Sequence, residues 1–301
     1  MVRARGPNDD RDTPVKPLDP RRHAFRPDLA ASSLEGKVTS LRFTEGENRQ
    51  VRWPVVPLRA APDVGMPFVS ELLFGERVTV YDVRDGWAWV QAERDSYVGY
   101  APADSLSNVV VAPTHKVSAL AAIVHPAPDI KSPPLAILPM GAEVTVVESG
   151  ETFHRLSDGG FAAARQLAVL GRSARDFVDV AERFLGTPYL WGGKTHRGID
   201  CSGLVQVSLC AAGIGAPRDS DMQSAEIGLP VAASADLDDL ERGDLVFWKG
   251  HVGIMIDGLL LLHANAHHMA VAMETLPEAV ARIARSTGPV SAIRRPNAQH
   301  I

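Results

Sequence analysis

The chain has 301 residues, of which 45% are apolar and 22% are charged, a balance that indicates two domains, or three small ones, rather than disorder. Its 31 basic and 36 acidic residues give a formal net charge of −5 with no block of Lys or Arg, which argues against a nucleic-acid partner. No apolar run approaches the ~18 residues that cross a bilayer, so we also expect no membrane partner.

Residues 1–35 are rich in Pro, Arg and Asp and predict an extended N-terminal arm that is either solvated or laid over another domain. Nothing in this arm has the apolar stretch of a signal peptide, so the sequence predicts a cytoplasmic protein. The two cysteines, Cys201 and Cys210, agree with that compartment. Nine residues of predicted helix separate them by roughly 13 Å, which is too far for a disulfide, so both thiols are expected to be free.

From residue 36 to residue 170, short apolar runs broken by Gly, Pro and Asp predict strands. A weak repeat is visible: A-P-D-V at 61–64 returns as A-P-D-I at 127–130, and G-E-R-V-T-V at 75–80 returns as G-A-E-V-T-V at 141–146. Both offsets are 66 residues, which predicts two small SH3-like β-barrels, over 36–112 and 113–170. The first copy holds most of the aromatic residues, and we expect the second to be a spacer without a ligand site.

The last third of the chain has a different pattern. Apolar spacing predicts one helix over 174–185 and a second over 201–212. Residues 243–256 and 259–264 predict two strands joined by Asp257-Gly258, and Asp-Gly between apolar runs is a strong hairpin signal. The sequence therefore predicts an α+β domain that ends in an antiparallel sheet.

A glycine-rich stretch over 186–203, G-T-P-Y-L-W-G-G-K-T-H-R-G-I-D-C-S-G, leads directly into the second predicted helix. It places Cys201 at a helix N-terminus, where unpaired N–H groups and the helix dipole favour the thiolate that a cysteine hydrolase uses as its nucleophile. The alternative is a buried, structural cysteine. Cys210 lies in the middle of the same predicted helix, and we expect it to be inert.

Two histidines could serve such a nucleophile. His251 opens a predicted strand, and His263 lies nearly opposite on the returning strand. If both rings face the helix, they supply a base and an orienting group for Cys201; the alternative is that each is an ordinary structural residue. A metal site at His263, His267 and His268 is disfavoured because the i,i+4 spacing suits ligands only on a helix. We predict no metal and no cofactor.

Between about 176 and 263 the chain contains five motifs in this order: G-T-P-Y-x-W-G-G, D-C-S-G, G-D-L-V-F-W, G-H-V-G-I-M-I and L-H-A. Together they resemble the NlpC/P60 family of papain-like cysteine peptidases, which cut cell-wall peptides. The resemblance implies an α+β catalytic domain over 171–301. It also implies that Cys201 is the nucleophile, His251 the general base and acid, and His263 the residue that orients His251. Tyr189 would stand near the oxyanion, or else be a packing aromatic.

A narrower resemblance concerns the substrate. R-D-S-D-M-Q at 218–223, with SH3-like modules in front, is similar to the γ-D-glutamyl-L-diamino-acid endopeptidases of the dipeptidyl-peptidase VI type. It implies cleavage of short muropeptides with a free N-terminal L-Ala, before diaminopimelate or Lys. The substrate ammonium would be held by Asp200, Ser202, Asp219 and Ser220, while Arg218 would either contact the substrate or hold the loop through a salt bridge.

In that subgroup, the first SH3-like module helps to close one end of the cleft with an acidic residue and a tyrosine. The matching tyrosine is Tyr97, and the matching acid is Glu71, with Glu76 as its competitor. The resemblance thus implies a small-peptide partner and a role in cell-wall recycling. Two other functions stay open, an exported hydrolase of polymeric peptidoglycan and a non-catalytic protein that binds wall peptides. The sequence leaves the oligomeric state open.

Overall fold

The structure is a computed structural model that describes residues 17–232, 234 and 237–297. The beginning of the predicted arm, residues 1–16, and the end of the last predicted domain, residues 298–301, lie outside the described residues. Over the described part of the chain, no helix has the length and apolar character needed to span a membrane.

The described part of the arm lies over the first β-rich module. Its Leu29 and Leu34 pack with Trp89 of that module, and the Arg26 guanidinium stacks on the Trp89 ring at 4.3 Å. Of the two predicted arrangements, the structure therefore adopts the one in which the arm covers another domain. Its elements are β1 (Ala30–Ala31) and a 3-10 helix (Ser32–Leu34), and β1 pairs in parallel with β2 (Phe43–Thr44), which follows the arm.

The first β-rich module is a curved sheet of seven strands. The strands are β3 (Glu47–Val51), β4 (Val55–Arg59), β5 (Phe68–Leu73), β6 (Arg77–Arg84), β7 (Trp87–Ala92), β8 (Val98–Pro102) and β9 (Leu106–Ser107), with a 3-10 helix at Ala103–Ser105. Their order in the sheet is β5-β4-β8-β7-β6-β3-β9. Alternate residues such as Val56 and Leu58, or Val78 and Val80, are buried in its core, as the period of a strand requires.

The second β-rich module follows the same plan in its first half. Its strands are β10 (His115–Val117), β11 (Ala121–His125), β12 (Ala136–Pro139), β13 (Glu143–Val144), β14 (Val146–Glu148), β15 (Phe153–Leu156), β16 (Phe161–Ala163) and β17 (Leu167–Val169), with a 3-10 helix at Ala164–Gln166. They form sheets of order β13-β10-β17 and β12-β11-β16-β15-β14. The offset of 66 residues carries β4 onto β11, and Gly75 and Gly141 take the same positive φ, +81° and +85°. These elements follow the offset on which the predicted duplication is based.

The last domain joins helices to one antiparallel sheet, which confirms the α+β prediction. Its elements are α1 (Phe177–Glu182), β18 (Lys194–Thr195), β19 (Gly198–Ile199), α2 (Cys201–Ala211), α3 (Ser220–Glu226), β20 (Leu229–Pro230), β21 (Leu245–Trp248), β22 (His251–Met255), β23 (Leu260–Asn265), β24 (Ala270–Thr275), α4 (Leu276–Ala284) and β25 (Ala292–Arg295). The main sheet has the order β20-β25-β21-β22-β23-β24. Helix α2 packs on β22 and β23, and this layer contains the core of the domain.

Two element predictions need correction. The predicted strand over 243–256 is two strands, β21 and β22, separated by a tight turn in which Gly250 has a φ of +75°. Both strands are almost fully buried, so their apolar residues run on without the alternation that would reveal the turn. The predicted helix over 174–185 shortens to α1, which begins where the Asp176 carboxylate accepts from the Val178 N–H and ends in a series of turns.

Candidate active site

Cys201 is the first residue of α2, as the glycine-rich loop predicts. The preceding Asp200 caps the helix by accepting from the Gly203 N–H at 2.7 Å. A Cβ at Gly203 would lie 2.4 Å from the Gly193 carbonyl oxygen, so the beginning of the helix packs directly on the loop. The Cys201 side chain is consequently almost completely buried, with 7% of the residue exposed.

The protonation state of Cys201 differs from the sequence-based expectation. The backbone N–H groups of Ser202 and Val252 lie close to the sulfur and lower its pKa, but burial outweighs them and raises the pKa of the thiol to about 12. Burial has this effect because a thiolate loses its hydration inside the protein. The helix N-terminus thus acts in the predicted direction, but burial is the larger effect and favours the neutral thiol at pH 7.

The two predicted histidines form a hydrogen-bonded pair. The β22–β23 register places Ile254 opposite Leu262, so His251 and His263 are diagonal neighbours on one face, close to the nearly opposite placement that the sequence predicts. Cross-strand diagonal neighbours are within reach of ring side chains. His251 Nε2 lies 2.8 Å from His263 Nδ1.

A carboxylate, Glu274, completes this chain and fixes its tautomers. His263 Nε2 lies 2.7 Å from Glu274 Oε1, and a carboxylate only accepts, so His263 Nε2 carries a hydrogen and Nδ1 a lone pair. His251 Nε2–H must then donate to His263, which leaves the lone pair of His251 on Nδ1. Burial lowers the pKa of His251 to about 3 and also lowers that of His263, so both rings are neutral at pH 7.

Glu274 was not identified from the sequence, because no motif contains it. It comes from β24, where His263 pairs with Ala272, and it is therefore the diagonal neighbour of His263 on the same face. Arg282 of α4 forms a salt bridge with it. The only available signal was a single charged residue in the run A-V-A-M-E-T.

Three possible metal ligands also meet here, because atoms of His263, His268 and Glu274 lie within 4.8 Å of one another. His263 and Glu274 are already hydrogen-bonded to each other. His268 Nδ1 lies 3.0 Å from Asn265 Oδ1. These side chains could take a metal only by giving up those hydrogen bonds, and His267 is not part of the group.

Cys201 and His251 lie on two elements that pack against each other, α2 and β22. The Val252 N–H that faces the Cys201 sulfur belongs to the residue next to His251. No hydrogen bond joins the Cys201 sulfur to His251 within the described residues. Burial raises the pKa of the Tyr189 hydroxyl, and the neighbouring Cys201 and Asp200 raise it further, so Tyr189 belongs to the surroundings of Cys201.

The resemblance implies that Asp200 and Ser202 bind the substrate. In the structure, both side chains instead accept hydrogen bonds from Arg218. The buried guanidinium donates to Asp200 Oδ1 at 2.9 Å and to Asp200 Oδ2 at 2.7 Å, and it also donates to Ser202 Oγ at 2.8 Å. The Gly192 N–H donates to Asp200 Oδ2 as well, at 2.8 Å. Of the two alternatives for Arg218, the structure adopts the salt bridge, and it leaves Asp200 without a free acceptor for a substrate ammonium.

Asp219 is also shared between several partners. Its Oδ2 accepts from the Tyr97 hydroxyl at 3.0 Å and from Arg21 Nη1 at 2.9 Å. Arg21 belongs to the arm and was not identified from the sequence, since nothing in the arm resembles a motif. Ser220 is half-buried, and its hydroxyl has no hydrogen-bond partner within the described ranges.

Glu71 and Glu76, the two competing acids of the first module, have different surroundings. Glu76 lies 3.2 Å from Arg94 and 3.6 Å from Lys194 Nζ, so it is an ion-paired residue. Glu71 is 5% exposed and accepts from the Lys194 N–H at 2.8 Å, but no cation pairs with it in the part of the chain that the structure describes. Burial raises the pKa of Glu71, although the hydrogen bond from the Lys194 N–H and the nearby charges of Lys194 and Arg218 oppose this shift.

The first module also touches the loop that leads to Cys201. Gly192 has a φ of +78°, and a Cβ there would lie 2.6 Å from Phe68 Cβ. Only glycine fits a left-handed conformation at so close an approach. The module that carries Glu71 and Tyr97 is therefore held directly against the candidate active site.

Comparison with known proteins follows the same division of the chain. Residues 186–282 match the NlpC/P60 family, and residues 58–106 match the bacterial dipeptidyl-peptidase SH3 domain. Over 245 residues the chain is 27% identical to dipeptidyl-peptidase 6 of Lysinibacillus sphaericus, covering 73% of this chain and 89% of the relative. Over 140 residues it is 36% identical to the γ-D-glutamyl-L-lysine dipeptidyl-peptidase of Bacillus subtilis, covering 44% of each chain. In fold it is similar to the crystal structure of an NlpC/P60 family protein from Bacillus cereus, with a TM-score of 0.68, 21% identity and coverage of 83% of this chain and 99% of that one.

Proposed function

Because this chain is a cysteine peptidase with an NlpC/P60 domain behind a bacterial dipeptidyl-peptidase SH3 domain, we propose that it hydrolyses the bond between γ-D-glutamate and a diamino acid. The substrates are short cell-wall peptides whose N-terminal L-Ala carries a free amine. The observation that carries this proposal is Glu71, a buried carboxylate that belongs to the SH3 module and has no cationic partner in the described chain.

In the proposed reaction, the Cys201 sulfur attacks the γ-glutamyl carbonyl carbon while His251 Nδ1 takes the thiol proton. Because the thiol and both imidazoles start neutral, proton transfer accompanies the attack. His251 then gives this proton to the leaving amine, and a thioester remains on Cys201. His251 next takes a proton from water, whose oxygen attacks the thioester. The C–S bond then breaks, L-Ala-D-Glu is released, and His251 returns the proton to the Cys201 sulfur. His263 and Glu274 hold His251 in the required tautomer throughout.

The free-amine requirement rests on how the charges near Cys201 are paired. Asp200 forms a buried salt bridge with Arg218, and Asp219 pairs with Arg21, which is shared with two further carboxylates, Asp19 and Asp221. Glu71 is the buried acid at this end of the site that an incoming ammonium could neutralise, and a buried carboxylate gains most from such a partner. An N-acylated peptide brings no charge and leaves Glu71 unpaired, so it is discriminated against.

The preference for short peptides rests on the contacts between the first module and the catalytic domain. Phe68 packs on Gly192, and Tyr97 binds Asp219. A module held in this position obstructs one end of a peptide groove and suits small fragments better than polymeric wall. We therefore propose a role in recycling wall fragments in the cytoplasm, and cell fractionation tests this location against the exported alternative.

The alternative of a pure binding module finds less support. SH3-like modules commonly bind peptides on an aromatic face, but here Arg26 of the arm stacks on Trp89 and donates to the Tyr100 hydroxyl at 3.0 Å. The arm therefore covers the surface that a peptide ligand of the first module would need.

The proposal is tested by incubating L-Ala-γ-D-Glu-meso-diaminopimelate, and the matching Lys peptide, with the pure protein and separating the products. We expect L-Ala-D-Glu from wild type and from Cys210→Ala, but none from Cys201→Ala. Equal turnover by wild type and Cys201→Ala would remove the catalytic assignment. The two peptides together decide which diamino acid the enzyme accepts.

A further inference from the structure

A large cavity lies away from the candidate active site, where the second β-rich module meets the C-terminal half of α2. Its volume is about 970 Å³, at the upper end of the range for small-molecule sites. The α2 residues that line it include Gln206, Val207 and Cys210, whereas neither Cys201 nor His251 does. It is therefore a separate site.

The charge of this cavity is unusual for an acidic chain. Among the residues that line it, six are basic and one is acidic: Arg94, Lys116, Arg165, Arg172, Arg183, Lys194 and Glu143. The whole chain, in contrast, has a formal net charge of −5. Basic residues are therefore concentrated here by the fold and not by composition.

Among the described residues, two of these cations form ion pairs and four do not. Arg94 is 2.9 Å from Glu143 and 3.2 Å from Glu76, and Lys194 is 3.6 Å from Glu76. The remaining four make no ion pair with any carboxylate in the described chain: Lys116, Arg165, Arg172 and Arg183. The three arginines are exposed, and Lys116 is half-buried next to Arg94. Lys116 thus loses part of its hydration beside the like charge of Arg94, and the neighbouring Glu143 carboxylate offsets this only in part, since the pKa of Lys116 stays lowered.

We propose that this cavity binds a small molecule that carries at least two phosphate or carboxylate groups. Both groups offer the oxygens that arginine and lysine bind through charge-assisted hydrogen bonds, and a compact polyanion can reach the half-buried lysine and the exposed arginines at once. The second β-rich module would then be part of a ligand site, and not the spacer that its lack of aromatic residues predicts.

The binding test uses the full-length protein and isothermal titration calorimetry. The probes are pyrophosphate and citrate, each compared with sodium chloride at equal ionic strength. We expect saturable binding of at least one probe and none of chloride; the probe that binds tells phosphate from carboxylate recognition. Because each variant loses a charge-assisted hydrogen bond to the anion, Lys116→Ala and Arg165→Ala should each weaken binding about tenfold or more.

Arg155→Ala is the matched control, because Arg155 is an exposed arginine of the same module that does not line the cavity. It should bind the probe as wild type does. If neither probe binds, if chloride reproduces the heat, or if Lys116→Ala and Arg165→Ala bind like the control, the proposal is overturned.

Cys210 reports whether the probe occupies this cavity. In a Cys201→Ser variant it is the only cysteine left, and it lines the cavity wall. We expect a saturating probe to slow its alkylation by a maleimide. Binding without any such slowing would place the anion elsewhere and refute the site. Neither test measures peptide hydrolysis, so failure here leaves the proposed peptidase activity unaffected.

Discussion

Replacing Glu71 by Gln tests the substrate proposal most directly. The amide keeps the size of the side chain and an oxygen that can accept from the Lys194 N–H, now at 2.8 Å, but it removes the negative charge. Burial already raises the pKa of this carboxyl, so the ionised form is destabilised, and a bound ammonium would stabilise it. The variant should therefore fold normally and lose its preference for a free amine.

The expected magnitude follows from the single interaction that is lost. A hydrogen bond to a charged group contributes about 1.5–3 kcal/mol, and each ~1.4 kcal/mol corresponds to a tenfold change. We therefore expect kcat/KM for L-Ala-γ-D-Glu-diaminopimelate to fall by about 10- to 150-fold in Glu71→Gln. For the N-acetylated peptide, which brings no charge, kcat/KM should change little.

The assay is the ratio of kcat/KM for the free and the acetylated peptide, which is insensitive to the fraction of folded enzyme. The matched control is Glu76→Gln, because Glu76 is an equally buried acid of the same module that is paired with Arg94 and Lys194. The control should keep the wild-type ratio even if its stability falls. An unchanged ratio in Glu71→Gln, or a collapsed ratio in Glu76→Gln, would refute the reasoning.

Three further predictions concern the catalytic chain. Glu274→Gln should lower kcat about 10- to 100-fold with little change in KM, since the His263 tautomer is no longer fixed by a carboxylate. Steady-state kinetics measure this, and an unchanged kcat would show that Glu274 does not act through the two histidines. Because burial raises the pKa of Cys201 to about 12, iodoacetamide alkylation of unliganded Cys210→Ala protein should rise about tenfold per pH unit from pH 7 to 10, and a plateau below pH 8 would contradict the buried neutral thiol. Burial lowers the pKa of His251 from its unfolded value to about 3, so the unfolded chain takes up the proton at a higher pH than the folded chain does. The free energy of unfolding should therefore be fully retained above pH ~6.5 and fall as the pH drops towards 3. Urea unfolding at pH 7.5 and pH 5 measures this loss, which should be smaller in His251→Gln.

The sequence by itself determined the features that depend on local pattern. The loop G-T-P-Y-L-W-G-G and the D-C-S-G that follows predict a cysteine at a helix N-terminus, and α2 begins at Cys201. The offset of 66 residues predicts the duplication, and β4 and β11 follow it. The cysteine-peptidase prediction is confirmed by the family that residues 186–282 match. These features are visible because periodicity, turns and capping involve residues close together in the chain.

Tertiary structure alone decided which distant groups meet and how they are charged. Glu274 reaches His263 through the register of two strands, Arg21 reaches Asp219 from the arm, and Glu71 rather than Glu76 is left without a cationic partner among the described residues. The same packing reversed the expected effect on the Cys201 thiol, because desolvation depends on everything that surrounds a group. Charge pairing and burial are sums over neighbours that are remote in the sequence, and no local pattern encodes such sums.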